Sequence, residues 1–559
     1  MRQGETGRPG LREGLVRFPI RGLVVALAAF SLPLQAQESF LPPVKVAPHA
    51  APVLSESIRV FVREFRFTGH TVFSSAELAR VVASFTQTNL HSGQLEEARH
   101  ALTRHYVDHG YINSGAILDD QPVSDGVITF RIVEGKLTEI EIENPTRLRH
   151  GFIKNRLQRG AGDPLNLTNL QNTLLLFKEN PNLRQINAEL KPGMTRGEAR
   201  LELKVTEKNP WHLGLAARND RPPSVGAEAL EVLASNQNVT GNSDALDLRY
   251  GLAQRSRDSL EFSGTDNWGA SYRIPINTYD TSIQVAYSRS DYALIEEPFD
   301  SLEIESRSDV YTIGVRHPLY RTPRRELSMT VAADRRHTES FLLGEPFSFS
   351  PGAVNGEATI SALRFTHEWV DRSQDRVIAL RSTLSWGIDV LGSTDDGTER
   401  DGKQVTWLGQ AQYVRRLALR GSQLILSGNF QWTEGPLLSL EQMSLGGAHT
   451  VRGYRENQLV RDQGAVLTLE LRIPILFTKA GGPMLQVAPF VDYGNGWNVE
   501  GPKGNPRDIA SAGLGLLFTL HEKVQAELYW GHAFRNFNHP ARRDAQDLGL
   551  HFKLVAMAF

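Results

Sequence analysis

The sequence predicts two small α+β modules, followed by an all-β region that closes into a sixteen-stranded antiparallel transmembrane β-barrel. Three observations lead to this fold class. Residues 58–135 and 136–208 repeat one order of predicted elements, β-α-α-β-β. From Trp211 onward helical spacing disappears, and short runs of alternating apolar and polar residues recur to the C-terminus. The connections between these runs are alternately long and short, which is typical of barrels in bacterial outer membranes.

The composition bounds the class of protein. The chain of 559 residues exceeds one ordinary domain, and its 22% charged and 40% hydrophobic residues are typical of a folded protein. A net charge of −2 gives no overall attraction to nucleic acid. The absence of cysteine excludes disulfides and cysteine-based metal sites. Beyond the N-terminal segment no apolar run reaches about eighteen residues, so the sequence does not indicate a helical membrane protein.

The N-terminus has the features of a secretory signal. Arg17 and Arg21 precede an apolar segment, residues 23–30, that is too short to span a bilayer. A small residue stands where a signal peptidase would cleave. We predict a signal peptide over residues 1–36 and an extended linker in the Pro/Ala-rich residues 37–57. The alternative is a buried helix of a cytosolic protein.

Each α+β module is predicted from a change of periodicity. In the first module, alternation gives way to helical spacing that places Leu95, Leu102 and Tyr106 on one helix face, with Gly110 as the C-cap. The predicted strands of this module are 58–69, 111–120 and 126–135, and its helices are 74–85 and 92–110. The predicted strands of the second module are 137–145, 184–193 and 198–207, and its helices are 151–160 and 167–181.

The barrel, residues 209–559, is predicted from strands that have one apolar and one polar face. In residues 465–473, for example, leucines alternate with Thr468, Glu470 and Arg472. The predicted strands lie near residues 211, 229, 244, 259, 281, 308, 326, 357, 376, 404, 423, 464, 485, 511, 524 and 547. All eight tryptophans stand at or after Trp211, which suits aromatic girdles at two membrane interfaces. The alternative, a soluble sandwich or propeller, is less favoured because the region is long and has no blade repeat.

A distinctive motif lies in the connection between the eleventh and twelfth predicted strands, which would be the sixth extracellular loop. It consists of Val451, Arg452, Gly453 and Tyr454, and two glycines stand a few residues before it. We expect this loop to fold back into the barrel lumen. An arginine there needs an acidic partner, because an unpaired charge in a confined site is costly.

The next-but-one strand offers that partner. Phe490, Asp492 and Gly494 share the polar face of the thirteenth predicted strand. A fork of hydrogen bonds between the Arg452 guanidinium and the Asp492 carboxylate would pin the loop to the barrel wall. Gly494 and the glycine of the loop motif would let the two backbones approach closely. A second candidate partner is Glu470 on the preceding strand.

The ordered set V-R-G-Y and F-x-D-x-G resembles the outer-membrane protein-assembly and two-partner-secretion superfamily. The segment 451–474 is particularly similar to two-partner secretion transporters, the relatives of the haemolysin and filamentous haemagglutinin secretion/activation proteins. In the first module, Tyr106, Gly110 and Tyr111 match the Y-x-x-x-G-Y signature of a polypeptide-transport-associated (POTRA) domain. The resemblance covers nearly the whole mature chain, about residues 58 to 559.

This resemblance implies a fold and a role. It implies two periplasmic POTRA domains and a sixteen-stranded outer-membrane barrel that exports one large partner exoprotein carrying an N-terminal secretion domain. The surrounding partners would be outer-membrane lipid and lipopolysaccharide, with no cofactor or metal. Two departures are expected to matter. The linker 37–57 is too short for the plug helix of some members, and Phe559 falls out of the apolar phase of the last strand.

Other functions are less favoured. A barrel-assembly insertase of the same superfamily usually has more POTRA domains, and a passive porin or enzyme barrel would need none. The sequence has no phosphate-binding P-loop, so we expect no nucleotide, and no Ser/His/Asp order or acidic pair suggests an enzyme. We expect His105 and His109 to be surface or partly packed residues. We expect the cargo to dock on exposed strand edges at 112–118 and 185–190 and then to thread the lumen.

Overall fold

A computed structural model describes most of the chain, which divides into two compact units between Lys208 and Asn209. The described ranges are 59–123, 125–144, 146–254, 265–296, 299–395, 397, 400–501, 506–520, 523–537 and 544–558. The predicted signal peptide, the linker and Phe559 lie outside these residues. No helix of the described residues is long and apolar enough to cross a membrane.

The first module contains the predicted elements and one additional strand. Its elements are β1 (Arg59–Val62), β2 (Glu64–Thr68), α1 (Ser75–Val81), β3 (Thr88–His91), α2 (Ser92–Asp108), β4 (Gly115–Ile117) and β5 (Val127–Val133). The predicted first strand is split at Arg63, where the backbone N–H turns to donate to Gly126. Its first half pairs with β3, whereas β2, β5 and β4 form a separate sheet with β4 at one edge. A core around Leu78, Leu102 and Phe130 joins the sheet to the helices.

The second module has the predicted order β-α-α-β-β. Its elements are β6 (Lys136–Ile142), α3 (His150–Ala161), α4 (Leu167–Lys178), β7 (Leu183–Pro192) and β8 (Glu198–Glu207). Strand β8 lies in the middle of the sheet, parallel to β6 and antiparallel to β7. The apolar faces of both helices cover this sheet, with Ile153, Leu157, Leu170 and Leu201 fully buried. The module therefore has its own hydrophobic core.

Hydrogen bonds join the two modules, which lie in one compact unit. The backbone N–H of Leu167, the first residue of α4, donates to the carbonyl of Gly110 at 2.8 Å. The side-chain amide of Asn166 donates to the His109 carbonyl at 3.0 Å, and that of Asn113 donates to Gly197 at 2.8 Å. The turn after α2 is thus bonded to the start of α4.

The described residues from 209 onward form a closed antiparallel barrel of sixteen long strands. These are β9 (Trp211–Arg218), β10 (Ala229–Asn236), β11 (Ala245–Ala253), β12 (Asp266–Pro275), β13 (Ser282–Ala293), β14 (Glu305–Arg321), β15 (Arg325–Leu342), β17 (Glu357–Arg372), β18 (Arg376–Ile388), β19 (Val405–Arg416), β20 (Gln423–Thr433), β23 (Gln463–Phe477), β24 (Pro483–Trp497), β25 (Asp508–Leu520), β26 (Val524–Ala533) and β27 (Leu550–Met557). The two-residue β16 (Glu345–Pro346) extends one hairpin. Pairing of β27 with β9 closes the cylinder.

The fourth predicted strand starts near residue 259, among residues 255–264, which lie outside the described residues. The described strand next to β11 is β12 (Asp266–Pro275), which pairs with it through alternating residues around Trp268 and Tyr272. The last strand, expected from about residue 547, begins at Leu550. A short 3₁₀ turn ending at Gly549, whose φ is +75°, precedes it.

The two faces of the barrel strands differ as predicted. On β23, Leu467 and Leu469 are 52% and 46% exposed on the outside, whereas Glu470 and Arg472 are 4% exposed on the inside. A continuous exposed apolar surface of this kind fits a lipid environment. Long connections, including residues 434–462, lie at the end of the barrel opposite the start of β9, and short turns such as 322–324 lie at the other end.

Candidate functional site

Loop 6, residues 434–462, folds into the barrel as a hairpin. Its short strands β21 (Met443–Leu445) and β22 (Leu459–Arg461) pair antiparallel. Gly446 and Gly447 have φ values of +103° and +105°, a backbone conformation that glycine adopts without a steric penalty. The side chains of the loop tip are buried. The sequence therefore turns the motif inward, as expected for a lumenal loop.

Arg452 lies at the centre of the site. Its Nε and Nη2 donate to the two carboxylate oxygens of Asp492 at 2.8 and 2.9 Å, and its backbone N–H donates to the same group at 3.0 Å. Nη1 donates to Glu470. The guanidinium carbon lies 3.6 Å from the ring centroid of Phe490 and 4.7 Å from that of Tyr529. Because these groups are almost fully buried, the bidentate pair and the stacked rings together hold the loop tip against the wall.

The two predicted acidic partners act together. An arginine has five N–H donors in a fixed fork, so the guanidinium can serve Asp492 along one edge and Glu470 along another. Arg472, which follows on the same strand face, donates to Glu470 at 2.6 Å and adds a second positive charge. The cluster thus has two buried cations and two buried carboxylates.

The glycines of the two motifs make close contacts, but with other partners than expected. At Gly453, where φ is +89°, a Cβ atom would lie 2.7 Å from the backbone oxygen of Gly531 on β26. At Gly494 a Cβ atom would lie 2.9 Å from the side chain of Val451. The close backbone approach therefore joins Gly453 to Gly531, and Gly494 makes room for an apolar side chain. No motif or periodic pattern indicated this role for Gly531.

Two further anchors of loop 6 were not predicted. Near the base of the loop, Glu441 accepts from Arg364 of β17 at 2.6 Å, and Arg364 also donates to Asp334 of β15 at 2.6 Å. Beyond the tip, Arg455 donates to Asp547 at 2.7 Å. Arg364 lies on the polar face of an alternating strand, which could have indicated it. No periodic pattern indicated Arg455, because Asp547 lies in a connection between two strands, where residues do not alternate.

Loop 6 does not fill the lumen. A cavity of about 350 Å³ lies beside Arg452. On the adjoining part of the wall, strands β18 to β20, which continue the sheet from β23, contribute polar side chains to its lining, namely Arg381, Gln410, Gln412, Ser427 and Asn429. Amide and hydroxyl groups can both donate and accept hydrogen bonds. This wall can therefore solvate an extended polypeptide without requiring a particular sequence.

The POTRA signature residues lie together at the end of α2. Tyr106 is fully buried, and its hydroxyl donates to Glu134 at 3.0 Å. The Tyr111 ring packs edge-on against the Tyr106 ring, with 6.1 Å between the two ring centroids. Gly110 has φ +90° and carries the carbonyl that accepts from Leu167 of the second module. In this position the signature shapes the core and the turn.

Glu134 connects this core to the start of α1. Its carboxylate accepts the backbone N–H groups of Thr71 and Val72 at 2.7 and 2.9 Å. Burial alone would raise the pKa of Glu134, but the hydrogen bonds from Thr71, Val72 and Tyr106 outweigh it and lower that pKa. Burial and the bond to Glu134 in turn raise the pKa of the Tyr106 hydroxyl.

Glu134→Gln is expected to lower the free energy of unfolding of the fragment 34–208 by about 1–2 kcal/mol at neutral pH, because hydrogen bonds to a charged group are stronger than those to an amide. A lowered pKa in the folded state means that this contribution is present above the ordinary value of 4.5 and is lost as the pH falls through the lowered value. Parent and variant should therefore differ less in acid. Urea unfolding of parent and variant at neutral pH and in acid measures this difference in the free energy of unfolding. The exposed Glu97 of α2 provides the control Glu97→Gln, and an equal loss in both variants would contradict the assignment.

The histidines of α2 pack against an aromatic side chain. The rings of His105 and His109 lie 4.5 Å apart, and both contact Phe73. Among the described residues there is no group of three or more His, Asp or Glu side chains that could hold a metal ion.

Comparisons with known proteins agree with this architecture. Residues 197–518 match the family model of the haemolysin secretion/activation protein ShlB/FhaC/HecB, and residues 60–135 match the ShlB-type POTRA domain. The chain is 23% identical over 425 residues to the outer membrane transporter CdiB of Dickeya dadantii, which covers 74% of this chain and 73% of that protein. It is 22% identical over 462 residues to the heme/hemopexin transporter protein HuxB of Haemophilus influenzae, which covers 79% and 77%.

A solved structure shows the same fold. CdiB from Escherichia coli matches with a TM-score of 0.67 and 22% identity, over 92% of this chain and 94% of that chain. The family model spans more than half of the chain and includes the lumenal loop and its partner strands. The chain therefore belongs to the haemolysin secretion/activation protein family ShlB/FhaC/HecB, the outer-membrane transporters of two-partner secretion, with its POTRA region in the periplasm.

Proposed function

We propose that this protein binds one large exoprotein in the periplasm, through an N-terminal secretion domain of that partner, and conducts it through the barrel lumen. The observation that carries the proposal is the pinned loop 6 with an open cavity beside it, lined in part by polar side chains. A loop that fixes its tip to β23 and β24 leaves the adjoining wall of β18 to β20 open to a passing chain. Residues 136–208, with the same element order as the first module, would be a second POTRA domain.

Cargo docking would use strand edges. Strand β4 lies within the predicted segment 112–118 and β7 spans the predicted segment 185–190, each at the edge of a three-stranded sheet. At β4 a docking peptide would replace the bonds that the backbone of Ala116 makes with Thr103 and Arg99 of α2. An extended peptide can add to such an edge by backbone hydrogen bonds, which supply affinity without a strict sequence requirement. Side chains along the ten residues of β7 would then select the partner.

Transport would need no catalysis by this chain. The sequence has no P-loop, so no nucleotide would supply energy, and a net charge of −2 gives no reason to expect nucleic acid as a partner. Folding of the cargo outside the cell would prevent its return. The apolar outer surface would contact outer-membrane lipid and, on the extracellular side, lipopolysaccharide. No metal or other cofactor enters this scheme, and the chain would not act as an enzyme.

Deletion of the gene distinguishes a dedicated transporter from a general insertase. We expect one large protein to disappear from the culture medium while the amounts of other outer-membrane proteins stay unchanged. Re-expression of the parent chain should restore the secreted protein. Depletion of many barrels from the outer membrane would instead support the insertase function and contradict the proposal.

The route through the lumen can be tested by cross-linking, because the parent chain has no cysteine and gives no background. A cargo with one cysteine is held in passage by a stably folded domain fused to its C-terminus. Gln410→Cys, on the cavity wall, is expected to form a disulfide with it. Leu380→Cys, on the outer face of the neighbouring strand and 44% exposed, should not. Cross-linking at Leu380 alone would contradict a lumenal route.

A further inference from the structure

The segment after the tip of loop 6 makes a second set of ion pairs, at the extracellular mouth. Arg455 donates through Nη1 to Glu296 at 2.7 Å and through Nη2 to Asp547 at 2.7 Å. Its Nε donates to the second oxygen of Asp547 at 2.5 Å. The arginine side chain is 8% exposed, and those of Glu296 and Asp547 are 15% and 10% exposed. One cation is thus shared by two nearly buried carboxylates.

These partners join opposite sides of the barrel. Loop 6 leaves the wall between β20 and β23, whereas Glu296 follows β13 and Asp547 precedes β27. In the order of strands around the barrel, β13 lies across from the base of loop 6. Loop 6 therefore crosses the mouth and is tied by Arg455 to the far rim.

On the far rim, hydrogen bonds join three loops to one another. The backbone N–H of Ile295 donates to the Ser224 carbonyl at 2.8 Å, which joins the connection after β13 to the connection after β9. The side-chain amide of Gln546 donates to the carbonyls of Asn219 and Arg221 at 2.6 and 2.8 Å. The same Gln546 accepts from the backbone N–H of Glu456 at 2.8 Å. Arg455 thus binds loops that these hydrogen bonds join into one connected unit.

The anchors of loop 6 differ in what must move to release them. Arg452 and Glu441 bind strand residues, which continuous hydrogen-bond ladders hold in place. Both partners of Arg455 lie in connections between strands, so they can separate from loop 6 without breaking any ladder. Local opening of a protein uses such low-stability segments. Release at Arg455 would widen the mouth while the loop tip stays pinned.

We propose that Arg455, Glu296 and Asp547 form a latch that closes the extracellular mouth at rest and opens when cargo leaves. The inference rests on the proposed function only in taking the lumen as the export path. A latch of this kind allows the wall contacts of Arg452 to remain in place through a transport cycle. It assigns closure of the outer end of the pore to the shared cation of Arg455, supported by the hydrogen bond between Glu456 and Gln546.

The test is the ion conductance of the purified full chain in planar lipid bilayers, without cargo. Arg455→Gln is expected to increase the open fraction about tenfold or more, because loss of one member of a buried ion pair leaves the other uncompensated. Asp547→Asn should act in the same direction. Because both variants remove the same contact, the double variant should open no more than the stronger single variant.

The control removes a more exposed Arg–Asp pair at the other end of the barrel. Arg325 donates to Asp371 at 2.7 Å beside a short turn, away from loop 6. Arg325→Gln should conduct as the parent does. Parent-like conductance of both Arg455→Gln and Asp547→Asn would overturn the latch, as would additive opening in the double variant or equal opening in the control. If Arg455→Gln does not insert, the same criteria apply to Asp547→Asn and Glu296→Gln.

Measuring conductance separates this inference from the proposed function. If gene deletion leaves secretion intact but Arg455→Gln opens the pore, the latch stands and the transport role fails. If secretion is lost on deletion but Arg455→Gln conducts as the parent does, the transport role stands and the latch fails.

Discussion

Arg452→Ala is expected to reduce export of the partner exoprotein by about a hundredfold or more while the barrel remains in the outer membrane. Removing one partner of a buried ion pair costs roughly 3–5 kcal/mol, which corresponds to a loss of the pinned loop conformation by about two to nearly four orders of magnitude. The loss is large here because Asp492 and Glu470 would stay buried without their cation. The sixteen-stranded ladder involves none of these side-chain bonds, so insertion should not depend on them.

The measurement compares the exoprotein in the medium with the heat-modifiable barrel in the membrane fraction. Arg452→Lys should give an intermediate result, because an ammonium keeps the charge but loses the bidentate fork and the stacking on Phe490. Arg535→Ala is the control, since Arg535 lies in an exposed loop pair with Asp508 at 3.5 Å. Export by Arg452→Ala at the parent level would show that the buried pair has no role in transport.

The position of this pair could be predicted because two periodic signals meet there. The alternation of β24 puts Asp492 on the same face as Phe490, and the alternation of β23 puts Glu470 on the lumenal face. Once an arginine is placed in the lumen, few acidic groups are within its reach. That Arg452 binds both carboxylates could not be predicted, because it depends on how the N–H donors of one guanidinium are oriented in the folded barrel.

The contacts of Arg455 could not be predicted in the same way. Its partners belong to connections that have no repeating pattern, and the loops meet only after the whole barrel has closed. The fourth strand is a related case. Its predicted start near residue 259 lies outside the described residues, and the described β12 (Asp266–Pro275) is placed by its register with β11, in which Leu248 stands opposite Ala270. A sequence predicts which residues of a strand share a face more readily than it predicts which strands pair.

Deletion of residues 59–135 is expected to abolish export and to leave the barrel inserted. The barrel ladder begins at Trp211 and closes on itself through β27, so no strand of the first module takes part in it. The second module keeps its own core around Leu157 and Leu201. What disappears is the edge of β4 and the hydrogen bonds that hold α4 to Gly110.

The experiment again compares secreted exoprotein with folded barrel, now with a control in the preceding segment. Replacing residues 37–57 by a Gly/Ser sequence of equal length changes the chain before the module but keeps the module itself. This variant should export the partner at nearly the parent level. Export at the parent level after deletion of 59–135 would mean that docking does not use the first module. Because β7 offers a second and longer edge, deletion of the β4 edge separates the two sites: full loss assigns an essential step to the first module, and partial loss divides recognition between them.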